Sequence, residues 1–165
     1  MLKAKNAKER KMYLLDTNII SFLVKENKTR EKEEDKIKEE RIVYEVFKLK
    51  AQNAIIRIPI TSYYEIRRHI IRKNALKQLN KLEKLCQEYE LLYLNDLEIM
   101  NIASDIWAAL MNNGRPIGKE GNADMDIITA AIAIHNNLTV LTNDPDFNTI
   151  GEIYPAKQLL FKIIT

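Results

Sequence analysis

The chain alternates between short apolar runs and longer segments in which apolar residues recur with helical spacing. One apolar run covers residues 12–15, and a second, β-branched run covers residues 54–62 with Pro59 near its end. A third and a fourth run lie in "ELLYLND" and "LTVLTNDPDF", and "EIYP" could form a short fifth strand. Because helical patterns separate these runs, we predict a three-layer α/β/α fold around a central, mostly parallel sheet of 4–5 strands.

The first helix and the segment after it differ sharply in composition. An apolar helix is predicted over residues 19–24, with Thr17 or Asn18 as its N-terminal cap. Residues 25–40 then carry a mixed run of acidic and basic side chains, which predicts a solvated helix or a mobile arm. Apolar residues reappear from Ile37 onward, so we expect the second half of this segment to pack as a helix.

Three further helices are predicted by apolar periodicity. Residues 63–88 have the period of one long helix, which Ser62 or Thr61 would cap. Residues 97–112 predict a second helix, and the segment 124–134 is rich in small residues that suit close packing on a sheet.

The positive net charge of the chain is concentrated at its N-terminus. Residues 1–11 contain five basic residues and one acidic residue, a net charge of +4, whereas the whole chain has a net charge of +3. The remaining residues therefore sum to −1, and the overall charge does not by itself indicate nucleic-acid binding. We expect residues 1–11 to be a basic extension that could be disordered, and residues 12–165 to form a single domain.

The composition also limits the location of the protein and its possible cofactors. Residues 127–143 form an uncharged stretch, but its Thr, His and Asn residues make it too polar for a membrane span. Only four apolar residues follow the basic extension, too few for a secretory signal, so we expect a cytoplasmic protein. One cysteine and two histidines exclude an internal disulfide and leave no ligand set for structural zinc. A bound metal would therefore be a hard cation held by oxygen.

Four carboxylates occupy positions at which a parallel sheet is expected to bind ligands. Asp16 and Asp144 directly follow the first and fourth strands, and Glu65 and Asp126 lie in the first turns of helices. Ligands of open α/β sheets bind outside the carboxyl ends of the strands, so these side chains should converge. Four close carboxylates would repel each other or protonate unless a cation joined them, which favours Mg²⁺, with Mn²⁺ as an alternative.

Helix capping is the competing explanation for these acids. Asp and Glu are common at helix N-termini and turns, so any one of the four could be purely structural. Asp124 and Asp146, which lie two residues from Asp126 and Asp144, could likewise support the site or merely cap a helix.

A metal held only by carboxylates suggests phosphoryl chemistry on a phosphodiester. Between Arg67 and Lys84 the predicted long helix carries seven basic residues against Glu83 alone. This basic ridge starts beside Glu65 and could follow a nucleic-acid backbone, although a solvated helix face explains it equally well. The residues that we expect to contact such a backbone are Arg68, Arg72 and Lys73.

Four motifs, "YLLDTNIISFL", "ITSYYEI", "NNGRPIG…DMDIITAAIAI" and "LTVLTNDPDF", follow each other between Met12 and Ile153. In order and approximate spacing, this set resembles PIN-domain ribonucleases, and most closely the VapC toxins of bacterial VapBC toxin–antitoxin systems. The resemblance implies an endoribonuclease that cleaves tRNA, rRNA or mRNA, is inhibited by a VapB-type antitoxin and forms a homodimer.

The resemblance also implies an acidic Mg²⁺ pocket. Carried over by position, the pocket consists of Asp16, Glu65, Asp126 and Asp144, lined by Asn18 and Thr142. We expect Asp16, Asp126 and Asp144 to hold the metal directly and Glu65 to complete the site or to orient water.

The chain departs from the family pattern in the basic extension, in the long charged segment 25–40 and in the "GKEGNAD" loop. The loop leaves Asp124 as an alternative to Asp126, which we prefer because its distance to "AAIAI" matches the family. Other functions compatible with the residues are a PIN nuclease that matures RNA or acts on DNA, a non-catalytic RNA-binding module, and a phosphatase of another α/β family.

Overall fold

The computed structural model describes residues 10–26, 33–118, 123–154 and 159–164. Within these residues, five parallel strands form one sheet in the order β3-β2-β1-β4-β5. The strands are β1 (Met12–Leu15), β2 (Ile55–Pro59), β3 (Leu91–Leu92), β4 (Thr139–Thr142) and β5 (Leu160–Ile163). The helices are α1 (Thr17–Val24), α2 (Glu33–Ala51), α3 (Ile60–Arg72), α4 (Leu76–Glu88), α5 (Leu97–Asn112), α6 (Asp124–His135) and α7 (Asp146–Ile153).

Strand β1 lies at the centre of the sheet, between β2 and β4. Tyr13 of β1 is in register with Ile56 of β2 on one side and with Thr139 of β4 on the other. The chain first builds the sheet outward through β2 and β3 and then returns to the other side of β1 with β4 and β5. The strand order therefore reverses between β1 and β4, the place where open α/β sheets bind their ligands.

Alternate residues of β1 supply the two cores that cover the sheet. Leu14 packs with residues of α5, α6 and α7, including Ile106 and Phe147, on one face. Leu15 packs with residues of α1 to α4, including Ile20 and Leu82, on the other. This alternation follows from the two-residue period of a strand, and it produces the predicted α/β/α layers. The sheet is parallel throughout its described strands.

The fifth strand does not lie where the sequence suggested. The "EIYP" segment is not a strand, because α7 continues through Ile153 and buries Phe147 and Ile150. The fifth strand is β5, whose Leu160 pairs with Thr139 of β4. Pro155 of the predicted strand lies outside the described residues.

The predicted single helix over residues 63–88 is two helices. Helix α3 begins at Ile60, directly after Pro59, and α4 follows a break at residues 73–75 in which Asn74 has φ +52°. The predicted caps are therefore wrong, because Thr61 and Ser62 lie inside α3 and are buried. Proline favours this early start, since its fixed φ is compatible with a helix entry.

Helix α2 confirms a helix in the second half of the charged segment, although the start of that segment and the basic extension fall partly outside the described residues. Its buried side chains are Ile42, Val46 and Leu49, whereas Ile37 is exposed. No helix in the described part of the chain is long and apolar enough to cross a membrane.

The break between α3 and α4 generates a prediction about Asn74. Asn tolerates the left-handed region better than other non-glycine residues, so Asn74→Ala should lower the free energy of unfolding by about 1 kcal/mol. Asn74→Gly should stay close to the wild type in urea unfolding. Asn80→Ala, inside α4, is the matched control and should not destabilise the protein. A loss with Asn74→Gly equal to that with Asn74→Ala would contradict this explanation of the break.

Candidate active site

Asp16 links the end of β1 to the start of α1. Its backbone N–H donates to the carbonyl of Leu141 at 3.0 Å, which extends the pairing of β1 with β4 by one residue. Its carboxylate accepts hydrogen bonds from the Thr17 N–H and from the Thr142 hydroxyl, both at 2.7 Å. Asp16 is thus the N-cap of α1 itself, and the prediction that Thr17 or Asn18 caps this helix is wrong. The extended backbone that ends the strand is also the geometry that an N-cap residue needs.

Thr142 joins Asp16 to the segment that follows β4. Its buried hydroxyl donates to Asp16 and accepts from the backbone N–H of Asp144 at 2.9 Å. The Asp144 carboxylate in turn accepts from the N–H of Asp146 at 2.9 Å and from the Asn18 side-chain amide at 3.5 Å. Asn18 and Thr142, both predicted to line the pocket, therefore contact its acidic residues.

Glu65 is held by the hydroxyl of Thr17, which in turn contacts Ser62, a pair of contacts that the sequence reasoning missed. The Thr17 hydroxyl donates to Glu65 Oε2 at 2.7 Å and lies 2.9 Å from the hydroxyl of the buried Ser62. Arg68 approaches the other carboxylate oxygen, with Nη2 3.9 Å from Oε1. Ser62 could have been anticipated, because it precedes Glu65 by three residues and shares its helix face. The contact of Thr17 with Glu65 depends on the packing of α1 against α3.

The closest group of carboxylates consists of Asp126, Asp144 and Asp146. One oxygen from each lies within 4.8 Å of the others, and all three side chains are partly buried. The trio expected to hold a metal contains Asp16 in place of Asp146. Asp146 also accepts a hydrogen bond from the Gly118 N–H at 2.9 Å, which ties the preceding loop to the site.

Asp124 lies apart from this acidic group. It is exposed at the start of α6 and lines a hollow with Met100 and Trp107 of α5. The geometry therefore brings Asp126 rather than Asp124 to the other acids. Residues 119–122 of the predicted loop insertion lie outside the described part of the chain.

Burial and mutual repulsion make the acidic group electrostatically unfavourable. Burial, and then the negative charges of Asp16, Asp144, Glu65 and Asp146, raise the pKa of Asp126 from 3.8 to about 7. Burial is also the main cause that raises the pKa of Asp16 to about 6, although its hydrogen bonds from Thr142 and Thr17 oppose the shift. These carboxylates hold protons more tightly than ordinary aspartates because a further negative charge is costly here.

The donor set fits a hard divalent cation. Asp126, Asp144 and Asp146 offer only oxygen ligands, and a cation among them would offset the repulsion that raises the pKa of Asp126. Asp16 lies close to this group. Its carboxylate accepts a hydrogen bond from Thr142, and its negative charge helps to raise the pKa of Asp126.

The basic residues singled out from the sequence lie on α3 and at its end. Arg68 and Arg72 are exposed on this helix, and Lys73 is the residue that ends it. The predicted basic ridge is therefore divided between α3 and α4, because the chain changes direction at Asn74.

The raised pKa of Asp126 predicts that this carboxylate destabilises the metal-free protein. Between pH 3.8, the ordinary pKa, and about 7 the folded state binds the proton more tightly than the unfolded state. Stability therefore falls as the pH rises through this range. In EDTA at about pH 8, we expect Asp126→Asn to raise the free energy of unfolding by about 2 kcal/mol, or roughly 4–8 °C in Tm.

Thermal unfolding across pH checks this prediction. The gain should vanish at about pH 3, where both states of the wild type are protonated, and saturating Mg²⁺ should reverse it. Glu40→Gln on the exposed face of α2, away from its first turn, is the control and should leave the Tm unchanged. An Asp126→Asn protein that is less stable than the wild type in EDTA at about pH 8 would show that the carboxylate has a structural role.

Three solved structures with a similar fold illustrate the likeness. VapBC2 from Rickettsia felis, bound to a DNA fragment from its promoter, has a TM-score of 0.68 and 19% identity, over 93% of this chain and 99% of that chain. VapBC-1 from nontypeable Haemophilus influenzae has a TM-score of 0.64 and 24% identity, over 92% and 97%. FitAcB from Neisseria gonorrhoeae has a TM-score of 0.63 and 22% identity, over 92% and 97%. Likeness at these identities shows the fold alone.

A comparison with curated proteins gave no significant match. The model of the PIN domain family, in contrast, matches residues 13–153, which include all six acids considered for the site. The predicted resemblance to PIN domains is confirmed, and the chain belongs to the PIN domain family.

Proposed function

We propose that this PIN domain is a Mg²⁺-dependent endoribonuclease and the toxin component of a VapBC-type toxin–antitoxin system. The observation that carries the proposal is the convergence of five carboxylates where the strand order reverses. Three of them form the close group of Asp126, Asp144 and Asp146, and Asp16 and Glu65 adjoin it. A bound Mg²⁺, or Mn²⁺, would activate a water molecule and neutralise charge on the phosphate that it attacks.

The carboxylates would divide the work according to their contacts. Asp126 and Asp144 are proposed as metal ligands because the sequence prediction and the observed geometry both include them. Asp146 is added because one of its oxygens lies within 4.8 Å of theirs. Asp16 remains a proposed ligand, and its two hydrogen bonds fix the direction of its carboxylate. Fixed ligands bind without further ordering, so Thr17 and Thr142 would act as positioning residues.

Glu65 would orient the attacking water rather than hold the metal. The Thr17 hydroxyl holds one of its oxygens at 2.7 Å, and Ser62 completes this small network. A carboxylate fixed at one oxygen can accept a proton or a hydrogen bond from water at the other.

The catalytic proposal predicts a large loss of cleavage when a site aspartate becomes neutral. Asp144→Asn and Asp16→Asn should lower the cleavage rate of single-stranded RNA by more than about 100-fold, because the change removes a ligand or misaligns one. Cleavage should also stop in EDTA and return with Mg²⁺. The control is Asp35→Asn on α2, which should cleave normally.

Gel analysis of RNA fragments, with circular dichroism to verify folding, distinguishes the alternatives. RNA binding without turnover would indicate a binding module, and cleavage of DNA alone or of small phosphate esters alone would indicate another enzyme. Cleavage by a folded Asp144→Asn protein at the wild-type rate would contradict the proposed site.

The toxin assignment adds a partner and a location to the proposal. The three similar structures named above are of VapBC2, VapBC-1 and FitAcB, which supports a VapB-type antitoxin for this chain. We expect wild-type protein in the cytoplasm to arrest growth, and the Asp144→Asn form to be tolerated. Co-expression of the product of the adjacent reading frame should restore growth. Cleavage in vitro with no growth effect would favour a role in RNA maturation.

A homodimer is also part of the proposal, and α5 offers a surface for it. Large apolar side chains on its exposed face lie at positions 97, 100, 107 and 111, with Ser104 in the middle. This alternation of three- and four-residue steps is the seam of two packed helices. A two-fold interface would bring this same apolar surface of two identical helices together.

A charge in this seam should separate the two copies. We expect the wild type to elute as a dimer, and Trp107→Glu to elute as a folded monomer, because the substitution would bury a carboxylate against an apolar partner. Size-exclusion chromatography with light scattering provides the measurement. Tyr44→Glu replaces a similarly exposed aromatic residue on α2 and serves as the control. A Trp107→Glu dimer would place the interface elsewhere.

A further inference from the structure

A groove of about 610 Å³ runs along the outer side of α3. The side chains that line it recur at the three- and four-residue steps of one helix face. We call this surface the α3 face, and it comprises Tyr63, Tyr64, Arg67, Arg68, Ile71 and Arg72. Apolar and aromatic side chains line it together with three arginines, a combination that a merely solvated helix does not need.

The charge of the α3 face has one sign. No acidic residue lines the groove, and in the described part of the chain one ion pair involves its lining, from Arg68 to Glu65 at 3.9 Å. Among the residues that the structure describes, Arg67 and Arg72 form no ion pair with a carboxylate. A surface with three arginines and no acid complements a polyanion.

Two large uncharged side chains, Tyr64 and Ile71, are exposed among these arginines. Tyr64 is 52% exposed, and the Arg68 guanidinium lies 5.3 Å from the centre of its ring. Ile71, about two helical turns after Tyr64, is 49% exposed. Aromatic rings and guanidinium planes stack with nucleobases of any sequence, whereas a phosphate alone would not need an exposed ring.

The α3 face adjoins the proposed catalytic site. Glu65 belongs to the same helix and follows Tyr64 directly, and the Cα atoms of Tyr64 and Arg72 are about 12 Å apart along the axis. The acidic group repels a phosphate backbone, so a substrate that reaches it needs positive charge close by. The α3 face supplies that charge within about a Debye length of the site.

We propose that the α3 face binds a single-stranded RNA segment next to the cleaved bond, with a base stacked on Tyr64 and phosphates contacting Arg67 and Arg72. The proposal rests on the proposed function, because it concerns the substrate of the same site. A single strand is required, since the bases of a duplex are already stacked on each other and cannot reach the ring.

Fluorescence anisotropy with a labelled single-stranded RNA tests the stacking contact. The titration is done in EDTA, so that no variant cleaves the RNA and the acidic group repels it equally in all variants. Tyr64→Ala should weaken binding about 5- to 100-fold, and Tyr64→Phe should keep the wild-type affinity, because stacking needs the ring and not the hydroxyl. The matched control is Tyr93→Ala, an exposed tyrosine after β3, which should bind normally.

The salt dependence of the same titration tests the phosphate contacts. Arg67→Ala and Arg72→Ala should each lower the slope of log affinity against log salt concentration by about 1. Lys38→Ala on α2 is the control for loss of an exposed positive charge, and its slope should equal that of the wild type.

Several results would overturn the proposal. These are an unchanged affinity of Tyr64→Ala, equal losses with Tyr93→Ala, or equal binding of duplex and single-stranded RNA. A change of oligomeric state in Tyr64→Ala would instead identify the α3 face as a protein interface. Failure of the catalytic proposal is a separate result, because absence of Mg²⁺-dependent cleavage leaves the binding data in EDTA unaffected.

Discussion

The parallel pairing of β1 with β4 is the constraint on which the candidate site depends. The last link of this pairing, from the Asp16 N–H to the Leu141 carbonyl, places Asp16 beside Thr142. Thr142 then fixes the backbone of Asp144, so two distant parts of the chain present acids at one edge of the sheet. A shift of this register by one residue would turn Asp16 to the other face and dismantle the site.

The same strand pairing brings buried carboxylates close together, which is electrostatically unfavourable. Asp16 is almost fully buried but receives two hydrogen bonds, which partly offset its loss of hydration. Burial and four neighbouring negative charges all raise the pKa of Asp126. It therefore rises further than the pKa of Asp16, which two hydrogen bonds lower. A fold selected for stability alone would not collect these charges, so their convergence is better explained by a bound cation.

The sequence sufficed for those features that follow from strand topology, and it failed for those that depend on contacts between helices. The proximity of Asp16 and Asp144 could be predicted because residues after parallel strands meet at one edge. Periodicity could not detect the break at Asn74, since α3 and α4 both keep their apolar faces inward on either side of it. The contact between Thr17 and Glu65 was also beyond prediction, because it joins two helices whose packing the pattern does not specify.

The charge of this protein acts through its local arrangement. Helix α2 mixes acidic and basic residues on its exposed surface, as a solvated helix commonly does, whereas the groove of α3 contains three arginines and no acid. Tyr64 and Ile71 lie exposed beside these arginines instead of contributing to the core. The proposed RNA substrate would account for both observations, because the α3 face would attract the phosphates that the adjacent carboxylates repel. On this proposal, the acidic site and the basic helix are neighbouring surfaces of opposite charge, one for cleavage and the other for binding.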